Sequence, residues 1–268
     1  MITHGKVDTI GPALERLAGV AGAAGVALIF PEEEREKHGM PADGGDATDV
    51  DLAVVLGGDG TMLRALQRFL GTSVAVIGVN FGRVGFLASI GADELEAGLA
   101  RVFAGDFEVV DLPTLDAETK AGKWTAVNDV VVRSASVGRM VELGWSVGDE
   151  DLGTRPSDGV ICSTPVGSTA YNLSNGGPVL VWGLDALVLT FVAPHALVIR
   201  PLVVPRETEV RIRNETVDVE TTVLVDGQQI GNLATGEEAV IRVGEQHCLL
   251  ATLPEVTFFR RYAATFGR

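Results

Sequence analysis

One carboxylate in a glycine-rich turn is the clearest place for chemistry in this sequence. Asp59 lies within Gly57-Gly-Asp-Gly-Thr61, directly after the apolar run Leu52–Leu56. A glycine-rich turn ahead of a helix lets backbone N–H groups approach a phosphate, and the helix N-terminus favours an anion. The carboxylate adds a group that can manage a metal or a proton. We therefore expect a phosphate-binding turn, and an ordinary turn or capping aspartate is the simpler alternative.

The elements around this turn follow the order strand, turn, helix. Leu52–Leu56 is typical of a strand covered on both faces in a parallel sheet. Thr61 is predicted to be the N-cap of a helix whose apolar residues recur at helical spacing. Gly57, Gly58 and Gly60 are expected to supply backbone with φ > 0. The turn has neither the lysine of a Walker A loop nor the spacing of a dinucleotide-binding fingerprint.

A second turn rich in glycine and hydroxyl groups follows another short apolar strand. It lies in the segment Asp158–Pro178, where Gly167, Ser168 and Thr169 precede Tyr171. Hydroxyls and N–H groups at a helix start can bind phosphate, and a tyrosine ring can stack on a base. We expect a bound nucleotide there. The alternative is a helix capped by Ser168 or Thr169, with Tyr171 in the core.

Composition indicates a globular protein and excludes several classes. The 268 residues, 46% of them hydrophobic, suit two modest domains or one domain with an attached lobe. The longest apolar run is too short to span a bilayer and no secretory signal is visible, so we expect a cytoplasmic protein without a membrane partner. A net charge of −15 disfavours nucleic acid as a partner. Cys162 and Cys248 are expected to be buried free thiols, and the scattered histidines argue against zinc or iron.

The period of the hydrophobic pattern changes near residue 107. Residues 1–106 alternate apolar strands with helices, which predicts an α/β domain with a parallel sheet. Residues 107–245 repeat with period two, which predicts a β-rich domain, and 246–268 form a tail whose short helix packs back on the body. The charged segment Pro31–Gly45 is expected to be solvated and has no assigned function.

The strands expected in the first domain are a short one at Met1–His4, then Val26–Phe30, Leu52–Leu56 and Val74–Val79, with a helix near Pro12–Val20. Those expected in the second are Trp124–Val132, Met140–Val147, Gly159–Cys162, Leu187–Val192, Val210–Arg213, Val217–Val225 and Ala239–Val243.

Several short motifs resemble, in order and spacing, the successive motifs of NAD kinases. They are Gly57–Thr61, Gly78–Leu87, Asn128-Asp129, Asp158-Gly159, Thr164–Tyr171, Gly176–Pro178 and Pro194–Pro201. The likeness covers roughly Leu52–Gln228. The first motif is shared with lipid kinases, whereas the Thr-Pro-x-Gly-Ser-Thr-Ala-Tyr motif is highly specific. The resemblance implies an NAD kinase-like fold, with a Rossmann-like N-terminal domain and a β-rich C-terminal domain.

The resemblance also implies an activity, which is transfer of a phosphoryl group from ATP or polyphosphate to the adenosine-ribose 2′-hydroxyl of NAD, giving NADP. On that likeness Asp59 is the general base, and Mg²⁺ or another divalent metal is held mainly by phosphates. Gly57, Gly58, Gly60 and Thr61 correspond to the phosphate-donor loop. The NAD-binding residues implied are Gly60, Phe81, Asn128, Asp129, Arg139, Asp158, Gly167, Ser168, Thr169, Ala170, Tyr171 and Gln228. A homodimer or homotetramer is implied as well.

Other interpretations remain open at this stage. Asp129 stands where glutamate is usual in the family, a side chain shorter by one C–C bond of about 1.5 Å. Asn128-Asp129 could be a plain turn before a strand, and Asp226-Gly227 a hairpin turn. A diacylglycerol or sphingoid kinase would share the Asp59 motif but leave Thr164–Tyr171 unexplained. A non-catalytic NAD(P)-binding sensor is a third possibility, against which the intact Asp59 argues.

Overall fold

The computed structural model describes residues 1–3, 7–40, 49–82, 85–136, 138–195 and 199–267. The chain divides into two compact units, a first unit of Met1–Asp111 with Cys248–Arg268 and a second unit of Leu112–His247. The domain limits after residues 106 and 245 stay predictions. Within the described ranges, none of the helices has the length and apolarity needed to cross a membrane.

The helices and strands follow one another along the chain as follows: β1 (Ile2–Thr3), α1 (Val7–Ala24), α2 (Glu32–His38), β2 (Leu52–Gly57), α3 (Asp59–Arg68), β3 (Ala75–Asn80), β4 (Ile90–Gly91), α4 (Leu95–Phe103), β5 (Glu108–Thr119), β6 (Gly122–Ala126), β7 (Asp129–Ser134), β8 (Val141–Val147), β9 (Glu150–Ser157), β10 (Gly159–Ser163), α5 (Tyr171–Ser174), β11 (Ala186–Val192), β12 (Leu202–Pro205), β13 (Val210–Asn214), β14 (Thr221–Val225), β15 (Gln228–Leu233), β16 (Glu238–Thr252) and α6 (Phe258–Phe266).

The first unit contains a parallel sheet flanked by helices, as the alternating pattern predicts. Strands β1, β2 and β3 lie side by side, and β3 also pairs in parallel with β4 and with the end of β16. The register places Val54 opposite Ile77, and both belong to the buried core of this unit. Continuous apolar strands of this kind are covered on both faces. The predicted α/β class is confirmed.

One predicted strand of the first unit is absent from the described structure. Val26–Phe30 has no regular secondary structure, although the preceding helix extends over the whole of Val7–Ala24. The edge of the sheet is β1, and the Met1 amino group next to it donates to the Ile29 carbonyl at 2.9 Å, but β1 has only two residues and is too short to form a ladder with this run. The initial strand is Ile2–Thr3, and His4 lies outside the described residues.

The charged segment after residue 31 is not simply solvated. Glu34 is buried within helix α2, and its carboxylate accepts hydrogen bonds from the Thr3 amide at 3.0 Å and from Lys37 Nζ at 3.0 Å. Burial opposes ionisation, but the hydrogen bonds from Thr3 and Lys37 outweigh it and lower the pKa of Glu34 below its usual value. The prediction of a solvated segment is therefore wrong for Glu34, because its hydrogen bonds to Thr3, 31 residues earlier, hold it in the interior. Residues 41–45 lie outside the described ranges.

The second unit is β-rich, as predicted. A six-stranded antiparallel sheet has the order β12-β11-β10-β7-β14-β15, and most of β5, with β6, β8, β9, β13 and the start of β16, provides the remaining strands. Its core combines alternate residues of both sets of strands, for example Val160 and Cys162 with Val210 and Ile212. The period-two pattern therefore reports side chains that alternate between core and solvent.

Three predicted strand boundaries in the second unit are wrong. The run Trp124–Val132 is broken between β6 and β7 at Val127 and Asn128, whose amides bond to a side chain instead of a strand. Strand β14 begins only at Thr221, because Val217 is 81% exposed. Strand β16 continues well beyond Val243.

Both cysteines are buried free thiols, as expected. Burial, together with the nearby charge of Asp129, raises the pKa of Cys162 to about 12. A thiol with such a pKa stays protonated at neutral pH and is unreactive.

Candidate active site

Asp59 is the first residue of helix α3, and two backbone amides of a nearby loop hold its carboxylate. The Phe86 amide donates to Oδ2 at 2.7 Å and the Leu87 amide to Oδ1 at 3.1 Å. The side chain is half-buried. Each carboxylate oxygen can accept more than one hydrogen bond, so the group keeps capacity for a substrate hydroxyl. Asp59 is thus oriented by main-chain donors and can still accept a proton.

The glycine-rich turn works differently from the sequence-based expectation. Gly58 is the N-cap of α3 with φ −103°, so the predicted N-cap at Thr61 is wrong, and Thr61 is buried in the first helical turn. None of Gly57, Gly58 and Gly60, all within the described range 49–82, has φ > 0. Gly57 is needed for close packing instead, because a Cβ there would lie 2.5 Å from Thr61 Oγ1.

Two other predicted residues of the first unit lie around this turn. Gly60 is exposed in the first turn of α3, with open space where a Cβ would project. Phe81 follows β3, packs against the core of the unit, and donates its amide to the Gly57 carbonyl at 3.1 Å. Of the motif that contains Phe81, residues 83–84 lie outside the described ranges. The turn therefore presents an exposed helix N-terminus that a phosphate could approach.

In the second unit, three loops meet at one end of the six-stranded sheet. The register places Ser163 opposite Asp129 and Val225 opposite Val130, which brings the loops after β10 and β14 to the start of β7. The predicted residues Asn128 and Gly167 belong to these loops, and Asp129 and Gln228 are the first residues of β7 and β15 beside them. The structure therefore brings together three segments that are far apart in the sequence.

Gly167 packs directly on the Asn128 backbone. A Cβ at Gly167 would lie 2.1 Å from the Asn128 carbonyl oxygen, so no side chain fits there. Thr164 fixes the same contact, because its amide donates to the Asn128 carbonyl at 2.9 Å and its hydroxyl to the Val127 carbonyl at 2.7 Å. The highly specific motif thus serves first to lock two loops together.

Asp226 organises the Asn128 loop through its carboxylate. It accepts the amides of Val127 at 2.8 Å, Asn128 at 2.6 Å and Asp129 at 3.1 Å. Asp226 and Gly227 also form the two-residue connection between β14 and β15, with φ of 48° and 79°. Positive φ at both positions is typical of a type I′ hairpin turn, so the hairpin interpretation is confirmed. The side chain adds a long-range contact that the turn signal did not show.

The Asn128-Asp129 pair presents polar groups in a buried setting. Asn128 Oδ1 is buried and has no hydrogen-bond partner among the residues that the structure describes. Asp129 is 7% exposed, and burial, reinforced by the negative charge of Asp226, raises its pKa to about 7. A buried acceptor without a partner costs free energy unless a ligand satisfies it. The pair is therefore equipped to bind a polar ligand such as a sugar hydroxyl.

The segment after Gly167 divides into buried and exposed residues. The Ser168 hydroxyl is buried, donating to the Pro165 carbonyl at 2.6 Å and accepting the Leu180 amide at 2.9 Å. Thr169 is partly buried, whereas Ala170 is exposed and Tyr171 is 39% exposed. The alternative of a capped helix with a core tyrosine is wrong, because α5 has no side-chain cap and Tyr171 faces solvent. An exposed ring remains available for stacking.

Arg139, Asp158 and Gln228 are exposed, and the first two lie away from the Asn128 loop. Asp158 precedes β10 and its carbonyl accepts the Ser134 amide at 3.1 Å, which places it at the opposite end of the six-stranded sheet. Arg139 lies in the connection between β7 and β8, beyond that same end of β7. A ligand touching both groups of residues would have to be extended.

The sequence interpretation missed two residues that hold the site in place, Asn172 and Asp226. Asn172 is completely buried and bonds to the Ser168 and Pro178 carbonyls and to Thr190 Oγ1, so it holds the turn together. The sequence carries no signal for this role, because the surrounding segment 168–175 is itself rich in polar residues. The role of Asp226 had a partial signal, since Asp-Gly predicts only the hairpin. Its three bonded amides lie nearly a hundred residues earlier in the chain.

The described residues hold no group of three or more histidine, cysteine, aspartate or glutamate side chains that could bind a metal. A divalent ion that binds with a nucleotide takes most of its ligands from phosphates and water. The residues present thus fit a metal carried by the substrate better than a resident one.

Comparison with known protein families gives a consistent result. The ATP-NAD kinase N-terminal domain matches residues 42–107 and the ATP-NAD kinase C-terminal domain matches residues 127–253. The chain is 38% identical to an NAD kinase of Gemmatimonas aurantiaca, over 95% of this chain and 90% of that protein. It is 41% identical to an NAD kinase of Ralstonia nicotianae, over 91% and 83% of the two chains.

Solved structures agree with the sequence matches. An NAD kinase from Archaeoglobus fulgidus in complex with ATP superposes with a TM-score of 0.75 at 26% identity, covering 95% of this chain and 93% of that one. A yeast NADH kinase complexed with NADH gives a TM-score of 0.74 at 25% identity, over 81% and 67% of the two chains. The predicted NAD kinase-like fold is confirmed. With both domain models matched and these identities over most of its length, the chain belongs to the NAD kinase family.

Proposed function

We propose that this chain is an NAD kinase that transfers the terminal phosphoryl group of ATP to the adenosine-ribose 2′-hydroxyl of NAD, giving NADP, with Asp59 as the general base. The observation that carries the proposal is the Asp59 carboxylate, held by two backbone amides at the N-terminus of α3. The relatives support the substrates, since one was solved in complex with ATP and another with NADH.

The chemistry follows from that arrangement. A bond forms between the ribose 2′-oxygen and the terminal phosphorus, and the bond from that phosphorus to its bridging oxygen breaks, releasing ADP. The hydroxyl proton passes to an oxygen of Asp59. General base catalysis by a positioned carboxylate increases the rate by about 10²- to 10⁴-fold. The backbone N–H groups around Gly58 and Gly60 partly neutralise the negative charge of the ATP phosphates, as helix N-termini do. A divalent ion on the phosphates would neutralise further charge.

The second unit is proposed to bind the dinucleotide. Asn128 Oδ1, buried and without a partner among the described residues, is suited to accept a ribose hydroxyl, and the buried Asp129 can donate or accept beside it. Tyr171, with Thr169 and Ala170 next to it, is exposed enough to contact the adenine side. We assign Gly167 and Ser168 to holding these loops in place, because the groups they offer are already used within the protein.

The remaining predicted residues are proposed to contact more distant parts of the dinucleotide. Asp158 and Arg139, at the opposite end of the sheet from Asn128, are proposed to contact the nicotinamide end of an extended dinucleotide. Gln228, exposed at the start of β15, and Phe81 and Gly60 beside the glycine-rich turn are proposed as further contacts. Mg²⁺ as the divalent ion, polyphosphate as an alternative donor, a cytoplasmic location and a homodimer or homotetramer complete the proposal.

The direct test is to incubate the purified chain with Mg²⁺ and NAD or NADH, supplying ATP and polyphosphate in separate reactions, and to assay NADP and NADPH. We expect product with at least one donor, and omission of Mg²⁺ is expected to abolish it. Measurable NAD binding without product in any reaction would favour a sensor. Phosphorylated diacylglycerol or sphingoid base in parallel reactions, without NADP, would favour a lipid kinase.

A further inference from the structure

The C-terminal helix α6 packs on the loop that holds Asp59. Thr257 Oγ1 caps the helix by accepting the Arg260 amide at 3.3 Å. The rings of Phe258 and Phe266 lie 5.5 Å and 6.0 Å from the ring of Phe86, centroid to centroid. All of these residues belong to the first unit. The chain terminus is therefore in direct contact with the residue whose amide donates to the catalytic carboxylate.

Arg261 is the polar centre of that contact. Its side chain is inside the protein, with the residue only 5% exposed. Nη1 donates to the Phe86 carbonyl at 2.9 Å and to the Ala88 carbonyl at 2.7 Å, and Nη2 donates to Thr252 Oγ1 at 2.9 Å. A planar guanidinium with several fixed donors is suited to hold two carbonyls of one loop in a single geometry. The loop is thus fixed from its carbonyl side.

The amides of the same loop donate to Asp59, and one peptide group of the loop bonds to both Arg261 and Asp59. The peptide between Phe86 and Leu87 accepts Arg261 Nη1 at its carbonyl and donates its N–H to Asp59 Oδ1. A cation bound to a carbonyl polarises the peptide group and strengthens the opposite N–H as a donor. Arg261 and Asp59 are therefore linked through a single rigid peptide group.

The charge of Arg261 supports the same coupling. Burial lowers its pKa to about 10, and the negative charge of Asp59 counteracts that decrease. At neutral pH the guanidinium therefore remains protonated inside the protein. That charge lies at the carbonyl side of the Phe86–Leu87 peptide group, whose N–H donates to Asp59.

We propose that Arg261 is a positioning residue for phosphoryl transfer, which acts through the Phe86–Leu87 peptide group to orient the Asp59 carboxylate. The C-terminal helix thereby becomes part of the machinery of the reaction and not only a stabilising tail. The proposal rests on the proposed role of Asp59 as general base.

The first test compares Arg261→Met and Arg261→Lys with Arg260→Gln, a neighbouring exposed arginine on the same helix, as the matched control. The methionine variant loses both the charge and the carbonyl contacts, so kcat for NADP formation should fall about 10- to 100-fold while KM for NAD changes less than about 3-fold. Lysine keeps the charge with fewer donors, so its kcat should fall only about 3- to 10-fold. Arg260→Gln should match the wild type. Equal kcat values in all three variants would overturn the proposal.

A double variant separates this proposal from the assignment of Asp59. If Arg261 acts through Asp59, the kcat of Asp59→Asn with Arg261→Met should equal that of Asp59→Asn alone within about 3-fold, because the second change has nothing left to position. Multiplication of the two single losses would instead show an independent, structural role. An active Asp59→Asn variant would remove the base assignment itself. Should Arg261→Met fail to fold, Arg261→Lys takes its place in the same cycle.

Discussion

A single buried carboxyl, Asp129, shows how a residue in the proposed nucleotide site affects stability. In the folded protein burial, helped by Asp226, raises its pKa from the ordinary 3.8 to about 7. Between these values the folded protein keeps a proton that the unfolded chain releases. The free energy of unfolding therefore decreases, through this group, as the pH rises across that window, and the contribution is constant above it.

Asp129→Asn removes this titration, so the variant should gain stability relative to the wild type as the pH rises. We expect the difference in unfolding free energy to shift in favour of the variant by about 2 to 4 kcal/mol between about pH 4 and pH 8, with most of the change below about pH 7. Urea denaturation across that range measures it. Asp218→Asn, an exposed carboxyl in the same unit, should show no such trend. Parallel curves for the wild type and Asp129→Asn would contradict the buried titration.

Gly167 tests the packing of the specific motif on the Asn128 loop. Gly167→Ala would place a Cβ 2.1 Å from the Asn128 carbonyl oxygen, so the loop must move. We expect a loss of about 1 to 3 kcal/mol in stability and a weaker affinity for NAD, measured by urea denaturation and isothermal titration calorimetry. Gly231→Ala is the control, since its nearest contact is 3.8 Å away. An unchanged affinity in Gly167→Ala would show that the loop contact does not shape the site.

The hairpin of β14 and β15 is an element with two separable roles. Its turn, Asp226-Gly227, has the conformation expected of a type I′ connection, and its aspartate also accepts three amides of the Asn128 loop. Asn-Gly is an equally good turn of this type. Replacing the carboxylate by an amide therefore preserves the hairpin and disturbs only the contact with the loop.

We expect Asp226→Asn to lower the unfolding free energy by about 1 to 3 kcal/mol, because the amide nitrogen cannot accept the hydrogen bond that Val127 now donates. The same variant should weaken NAD binding through displacement of Asn128. Circular dichroism should show an unchanged content of strand, and calorimetry the loss of affinity. If stability and affinity both match the wild type, the Asp226 contact has no positioning role.

At the scale of elements, the hydrophobic pattern predicted most strands but not which of them pair. The runs Leu52–Leu56 and Val74–Val79 are strands because they are apolar on both faces, and the alternating run at Met140–Val147 is a strand with one buried face. Val26–Phe30 has the same apolar character, yet it is not a strand, since the edge strand β1 beside it has only two residues. Pairing is a tertiary property that no single run encodes.

The candidate site likewise has residues that the sequence located and supporting contacts that it did not show. Asp59 and Gly167 stand in motifs whose residue types indicate phosphate and nucleotide binding, so the sequence located them. Their supports are long-range: the Phe86 and Leu87 amides for Asp59, and Asp226 for the Asn128 loop. Burial of Glu34 against Thr3 is a further contact of this kind. Such contacts depend on the folded topology, and a single sequence does not contain their geometry.

At the scale of the whole molecule, the residues with proposed roles are divided between the two units. Asp59, Phe81 and the glycine-rich turn belong to the first unit, whereas Asn128, Asp129 and the segment around Gly167 belong to the second. Neither unit carries the full set. Most of the residues proposed to bind the dinucleotide lie in the second unit, whereas Asp59 lies in the first. We therefore expect a change at Asp59 to affect phosphoryl transfer much more than NAD binding.

Asp59→Asn tests that expectation most directly, with NADP formation and NAD affinity measured on the same preparation. The amide keeps the size of the side chain but cannot take the hydroxyl proton, so we expect turnover to fall by about 10²- to 10⁴-fold while the Kd for NAD changes less than about 3-fold. Near-normal NADP formation by a folded Asp59→Asn variant that binds NAD would contradict the account of Asp59 as the general base.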